Sequence, residues 1–240
     1  MSQMNWDREV EVLVVGTGNG GLTAAVCNWE MGTKDVLIIE KQDKVGGTSA
    51  TSGGGIWIPN SHYAKEVGAE DSPEAAKAYL MNTLFGEDVP EEMIDIYLEK
   101  APEMLKYLHD RTDVRYESLA EYPDYYTNME GAREGHRSLE PAPIMASELG
   151  ANWKNMTWTH FMMRMFNRIH FTQVEAHLLM VQLPGWKKLL ARLMWDYIRD
   201  IPWRLKTPIS RRLACGSAGV ARLYLSLLKR EIPLEFNTQM

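Results

Sequence analysis

Val10-Glu11-Val12-Leu13-Val14-Val15-Gly16-Thr17-Gly18-Asn19-Gly20-Gly21 decides the fold class of this 240-residue chain. An apolar run ends on a glycine-rich turn, the order expected where a strand feeds a helix across a dinucleotide phosphate. In such a turn Gly16 permits the sharp exit from the strand. Gly18 lets a pyrophosphate approach the backbone, and Gly21 lets the helix pack closely on the sheet. The helix is predicted to run through Leu22, Ala25, Val26 and Trp29 and to stop at Gly32. Its first turn, with Asn19 and Gly20, offers free N–H groups and the positive end of a dipole to phosphates. A second strand, Val36-Leu37-Ile38-Ile39, ends on Glu40, where a carboxylate can accept hydrogen bonds from a ribose.

Downstream lies a second cluster, Gly46-Gly47-Thr48-Ser49-Ala50-Thr51-Ser52-Gly53-Gly54-Gly55. A nicotinamide enzyme of this kind usually completes its sheet by further strand and helix alternation, and beyond residue 60 this chain does not alternate that way. The second cluster instead offers backbone N–H groups with little side-chain bulk to an extended cofactor, which favours FAD. A flexible surface loop is the plain alternative. Against it stands Ile56-Trp57-Ile58-Pro59, an apolar stretch into which a solvated linker would not run.

These residues, from Val14-Val15-Gly16-Thr17-Gly18 through Glu40-Lys41 to Gly46-Gly47-Thr48-Ser49 and Ser52-Gly53-Gly54-Gly55-Ile56-Trp57-Ile58-Pro59-Asn60, resemble the N-terminal FAD domain of the fumarate reductase and 3-ketosteroid dehydrogenase flavoproteins. The Ser52–Pro59 stretch is most similar to the 3-ketosteroid Δ1-dehydrogenase branch. Tyr122-Pro123-Asp124-Tyr125-Tyr126 and Gly135-His136-Arg137-Ser138-Leu139-Glu140-Pro141 resemble two further family segments in the same order, although His136 interrupts the expected Gly-Arg pair and residues 127–130 depart from the pattern. The resemblance implies an α/β fold: an incomplete Rossmann-like FAD-binding domain over 1–60 and 213–240, with a mainly helical α+β inserted segment over 61–212 that carries part of the substrate domain. It implies FAD held by Gly16, Gly18, Asn19, Gly20, Gly21, Glu40, Lys41, Gly46, Gly47, Thr48, Ser49, Ser52, Gly53 and Gly54.

The activity implied is 1,2-dehydrogenation of a 3-ketosteroid: an aromatic hydroxyl polarises the ketone, a tyrosinate-like base takes a proton from C2, and hydride leaves C1 for flavin N5. Tyr125, then Tyr126, is the expected catalytic tyrosine at the substrate pocket, against the alternative of a packed loop aromatic. The electron acceptor stays open. Two other readings stand beside this one: a fumarate reductase-like flavoprotein acting on an unsaturated carboxylate, and an inactive FAD-binding fragment. Pro233–Met240 reads as a strand just begun after the amphipathic helix Gly219–Arg230. With the greater length of the family, this predicts an N-terminal part of a longer protein.

Composition agrees with a globular cytoplasmic enzyme: net charge is −6 and 45% of residues are hydrophobic. The polar N-terminus lacks a signal-peptide pattern, and no run approaches the roughly 18 apolar residues of a membrane span. Cys27 and Cys215 lack CxxC spacing and are expected reduced. His160, His170 and His177 lack the i, i+4 pairing of a helical zinc site, so no metal is expected, and no GxSxG hydrolase signature occurs.

Residues 61–118 read as mainly helical. Ser72 is the expected N-cap before Pro73. A helix after Pro90 is expected to carry Met93, Ile94, Tyr97, Leu98, Met104, Leu105 and Leu108 as its apolar stripe, kinked or split at Pro102. Val114-Arg115-Tyr116 is a candidate strand.

Charge is unevenly placed. Residues 151–212 hold eleven Lys and Arg against three acids, a net +8 that leaves −14 for the remainder, and five of the eight tryptophans. Trp186, Leu189, Leu190, Leu193, Met194, Tyr197, Ile198 and Ile201 make a broad apolar helix face with basic residues around it. Such a helix suits peripheral contact with the inner membrane face through 186–201; the alternative is ordinary packing inside the protein. Nucleic acid is not expected as a partner, since no recognised binding module accompanies the basic patch.

Overall fold

A computed structural model describes residues 7–240. Its first unit is the expected one: β1 (Val12–Val15), α1 (Asn19–Glu30) and β2 (Val36–Ile39), with β1 and β2 parallel and Val12 in register with Val36. Helix α1 buries Leu22, Ala25 and Val26, and the chain leaves it through Gly32 at φ 118°. Gly21 is obligatory for this packing, because a Cβ there would lie 2.1 Å from the Gly16 carbonyl oxygen.

The chain continues through α2 (Gly47–Thr51), β3 (Ile56–Trp57), α3 (His62–Glu66), α4 (Pro73–Asn82) and α5 (Glu91–Arg111). The Ser72 hydroxyl caps α4 by accepting from the Ala75 N–H at 3.0 Å. Pro102 sits inside α5 without ending it. Of the stripe expected on α5, Ile94, Leu105 and Leu108 are buried, whereas Met93, Tyr97 and Met104 are exposed. The helix packs by the narrow edge that includes Ala101; of the residues flanking that edge, Tyr97 stacks on Trp57 and donates to its carbonyl, while Met93 and Met104 stay exposed.

β4 (Tyr116–Ser118), two residues later than the strand expected from the sequence, pairs with β5 (Ser138–Pro141), which also pairs with β3, giving a three-stranded antiparallel sheet in the order β3-β5-β4. β6 (Ile144–Met145) and a run of 3-10 turns lead to β7 (Arg164–Met165), β8 (Ile169–His170), α6 (Gln173–Met180), α7 (Trp186–Arg199) and α8 (Ile201–Arg204). β9 (Arg212–Leu213) returns antiparallel to β6. Then α9 (Cys215–Lys229) and β10 (Leu234–Glu235) bring the chain back to the first sheet, where β10 lies parallel to β2 on the side opposite β1.

β2 is therefore central and buried at all four residues. Helix α9 is the pivot of the core, with twelve of its residues buried, and packs against α1 and α2. Its small N-terminal residues allow this: a Cβ on Gly216 would lie 2.1 Å from the Ser49 carbonyl oxygen. Cys27 is half-buried and Cys215 buried, both as free thiols. Among the described residues no helix is long and apolar enough to cross a membrane.

Candidate functional site

The two glycine clusters meet. The Ser49 hydroxyl accepts from the Asn19 N–H at 3.1 Å, and the Gly46 N–H donates to the Thr17 hydroxyl at 3.1 Å. Thr17 also joins the clusters to the acid: its backbone N–H donates to the Glu40 carboxylate at 2.9 Å, its hydroxyl donates to the same oxygen, and the Gln42 N–H donates to the other at 3.0 Å. Burial alone would raise the Glu40 pKa, but these hydrogen bonds outweigh it and hold the carboxyl below its ordinary range. Thr17 is fully buried and ties together every part of the turn, yet its place between two glycines marks it in sequence only as a variable position.

A groove of about 790 Å³ opens along this junction, lined by Gly16, Gly18, Glu40, Lys41, Gly47, Thr48 and Ser49 among others. Its floor is backbone. Gly16 and Gly47 have positive φ, and at each no atom lies within 4 Å of where a Cβ would stand, so the space beside them is open to a ligand. The N-cap of α1, Gly18, brings no side-chain cap; the Asn19 N–H is taken by Ser49, the next N–H groups, of Gly20 and Gly21, stay free, and the Asn19 Oδ1 is buried with no partner. An ionised carboxylate with spare lone pairs stands at one end and an uncapped helix dipole at the other, which fits a ribose followed by a pyrophosphate.

Ser52, Gly53 and Gly54 do not line this groove. They line a second cleft of about 640 Å³, together with Trp57, Tyr122, Tyr125, Tyr126, Met163 and Gln173. Gly46 faces neither cavity: a Cβ there would meet Ala50 at 2.6 Å and Val220 at 3.0 Å, so its role in the structure is packing. Gly54 combines both uses. It lines the cleft, and its φ of 73° seats the strip so closely on α9 that a Cβ there would stand 2.7 Å from the Gly216 nitrogen. Gly20 and Gly21 lie in the first turn of α1, the former in open space and the latter against Gly16. Residues 47–55 thus run from one cavity to the other, the path needed by a cofactor with a nucleotide at one end and a reacting ring at the other.

Tyr125 is 83% exposed and Tyr126 45% exposed, so neither is a packed core aromatic. The Tyr126 ring meets Phe85 edge-on at 5.0 Å. Tyr122, which opens the same sequence motif without standing out in it, shares the cleft; hydrogen bonding with Tyr125, then burial, raises its pKa and keeps its hydroxyl protonated.

The tyrosine segment is anchored by Asp124, which is 4% exposed. Its carboxylate accepts from the Trp57 indole N–H at 2.7 Å, the Arg133 N–H at 2.9 Å and Arg137 Nη1 at 2.8 Å. Arg137, 2% exposed, also donates through Nε and Nη2 to the two oxygens of Asp71, each at 2.8 Å. Burial works against charge on both partners, but the hydrogen bonds prevail: Arg137 is raised and Asp71 lowered. Arg137 comes from the segment interrupted by His136, and His136 takes φ 68° there to let the chain turn Arg137 inward. Asp71 has no signal in sequence, being one acid among many. Glu140 of the same segment is fully buried and accepts from the N–H groups of Gln173 at 2.7 Å and Val174 at 3.4 Å, securing α6 beside the glycine strip; burial raises its pKa.

Comparison with known proteins places this geometry. The chain is 32% identical over 235 residues to a 3-oxosteroid 1-dehydrogenase of Comamonas testosteroni, covering 98% of this chain and 40% of that protein. It is 33% identical over 237 residues to one from Mycobacterium tuberculosis, again covering 40% of the relative. The crystal structure of 3-ketosteroid delta1-dehydrogenase from Sterolibacterium denitrificans, in complex with 1,4-androstadiene-3,17-dione, superposes with a TM-score of 0.88 at 36% identity, over 95% of this chain and 40% of that one. This chain therefore spans 40% of the length of these relatives. A profile of the FAD binding domain family matches residues 11–240: the chain belongs to the FAD binding domain family, as a relative of the 3-ketosteroid Δ1-dehydrogenases.

Proposed function

We propose that this chain carries the FAD site and one wall of the substrate site of a dehydrogenase that acts on a cyclic ketone of the 3-ketosteroid type. The observation that carries the reading is the lining of the tyrosine cleft: Tyr79, Tyr122, Tyr125, Tyr126, Trp57 and the glycine strip among others, with no lysine or arginine. An uncharged polycyclic ketone suits such a wall, whereas a carboxylate substrate would find no cation on it.

FAD would be held by Gly16, Gly18, Asn19, Gly20 and Gly21 at its pyrophosphate, by Glu40 with Lys41 at its ribose, and by Gly47, Thr48, Ser49 and the Ser52-Gly53-Gly54 strip along its length; Gly46 supports that strip from beneath. When bound, FAD supplies the hydride acceptor. The residues of this chain bind and polarise the ketone. The Tyr125 and Tyr126 hydroxyls present donors at the mouth of the cleft to a ketone oxygen, which makes the adjacent C–H more acidic and stabilises negative charge developing on that oxygen. Tyr122, whose pKa is raised, stands on the same wall as Tyr125. Asp124 and Arg137 hold the loop, so their role is positioning.

The test is purification with FAD, followed by dye-coupled turnover of 4-androstene-3,17-dione and, separately, fumarate reduction. Steroid oxidation that falls at least tenfold in Tyr125→Phe or Tyr126→Phe with flavin absorbance retained supports the reading. Flavin-loaded protein that reduces fumarate and leaves the steroid untouched overturns it.

A further inference from the structure

We infer that Thr157, in the inserted segment and more than 100 residues beyond either glycine cluster, is a cofactor ligand whose hydroxyl donates to an oxygen of the ribose–pyrophosphate part of FAD. The backbone places it there. Residues 155–157 lie parallel to Val45: the Val45 N–H donates to the Asn155 carbonyl at 2.7 Å, and the Thr157 N–H donates to the Val45 carbonyl at 3.0 Å. In such an extended run successive side chains point to opposite sides. Met156 is fully buried in the core, so Thr157 faces the other way, where it lines the nucleotide groove with Gly18, Thr48 and Ser49 among others. The stretch is fastened beyond this point as well: the His160 N–H donates to the Thr51 carbonyl at 3.1 Å, and the buried Thr159 hydroxyl lies 2.8 Å from that of Ser217 in α9.

The chemistry of the hydroxyl asks for a partner. Thr157 Oγ1 is buried with no hydrogen-bond partner, although the side chain as a whole is only half-buried. A hydroxyl carries one donor and two lone pairs, and leaving all of them unmade away from water is unfavourable. The polar groups at the junction of the glycine clusters are already engaged: Thr17 bonds Glu40, and the Ser49 hydroxyl takes the Asn19 N–H. Phosphate and ribose oxygens in the groove supply the missing acceptor. Threonine keeps more than one χ1 rotamer open, so a turn about that bond brings the hydroxyl to the groove without moving the backbone. The inserted segment thereby completes a nucleotide site that the glycine clusters begin. The inference rests on FAD occupying the groove and is independent of the substrate.

The full chain, stripped of flavin, is to be titrated with FAD and, separately, with adenosine diphosphate, which carries the same ribose and pyrophosphate without the flavin. Thr157→Val, which keeps the side-chain volume and removes the hydroxyl, should weaken the binding of both about tenfold, the worth of a hydrogen bond to a charged acceptor. Thr157→Ser, which keeps the hydroxyl, should stay within about twofold of wild type. The thermal midpoint of the apoprotein should be the same in all three, which separates a lost contact from lost packing. Thr157→Ala carries the same expected loss of affinity and replaces the valine variant if that one does not fold. Affinity unchanged in the hydroxyl-free variants, a serine variant that loses as much as they do, or a loss seen with FAD and absent with adenosine diphosphate would each overturn the inference alone. A wild-type chain that takes up neither ligand would overturn the FAD groove together with it.

Discussion

The nucleotide groove and the tyrosine cleft lie at opposite ends of the same glycine strip, yet they are built by different means. The groove is made of backbone: turns at Gly16 and Gly47, the free end of α1, and one acid, all within about forty consecutive residues. The cleft is made of side chains drawn from distant segments and held by a buried ionic cluster in which Arg137 joins Asp71 and Asp124. A backbone site tolerates most side-chain changes and fails where a Cβ intrudes. A side-chain site fails where one member of its network is lost.

The largest effect should fall on the cleft. Arg137→Leu removes the buried guanidinium that joins the carboxylates of Asp71 and Asp124 and should cost about 3–5 kcal/mol in urea unfolding. Loss of less than ~1 kcal/mol would mean that the cluster is not what holds the tyrosine loop, and the contrast between the regions would collapse. In the groove, Glu40→Gln should weaken FAD binding by about 10- to 100-fold in a fluorescence titration, the worth of hydrogen bonds to a charged acceptor, with a smaller effect on folding.

Acid titration compares the two ends directly. Glu40 and Asp71 both have pKa values held below their ordinary 4.5 and 3.8, so the stability they contribute is complete above those values and is lost as pH falls through the lower folded ones. Glu40→Gln and Asp71→Asn should each remove part of that acid-limb slope. His170 must be separated first: burial beneath α7, then Arg164 and Arg212, push its pKa down to about 3, so it stays neutral in the fold while the unfolded chain protonates near 6.5. Stability should therefore decline from pH 6.5 downward by up to about 1.4 kcal/mol per unit, and His170→Gln should flatten that limb.

The smallest change is the sharpest control. Gly20 lies in α1 with open space around it, so Gly20→Ala should stabilise the apoprotein by about 0.5–1 kcal/mol in thermal unfolding through helix propensity. If the same substitution leaves FAD affinity untouched, the cofactor does not approach the backbone at that residue.

Much of the groove is legible in the residues that build it. Val12–Val15, Gly16, Gly21, Gly32 and the Val36–Glu40 strand are local signals, because strand, turn and helix stop are each dictated by neighbours in sequence. Ser72 capping α4 is of the same kind. Thr17 carries no such signal, because its importance lies in three hydrogen bonds across 23 to 29 residues. The buried edge of α5 is narrower than its apolar stripe, since periodicity marks which residues share a face but not how much of that face finds a partner. The α7 face shows the same limit: Leu189 and Ile198 belong to one apolar pattern, and only packing against Ile169 separates them.

By itself the sequence determined the β1–α1–β2 unit and the acid at its end, because those depend on turn sterics and on short-range order. Tertiary structure decided that the strip connects two cavities, that Gly46 serves packing, that Asp124 is an anchor beside an exposed Tyr125, and that half of the α7 face remains in solvent. Those outcomes depend on which distant surfaces meet, above all on α9 carrying Gly216 into the Ser49–Ser52 backbone, and no local pattern encodes a meeting between residues more than 160 apart.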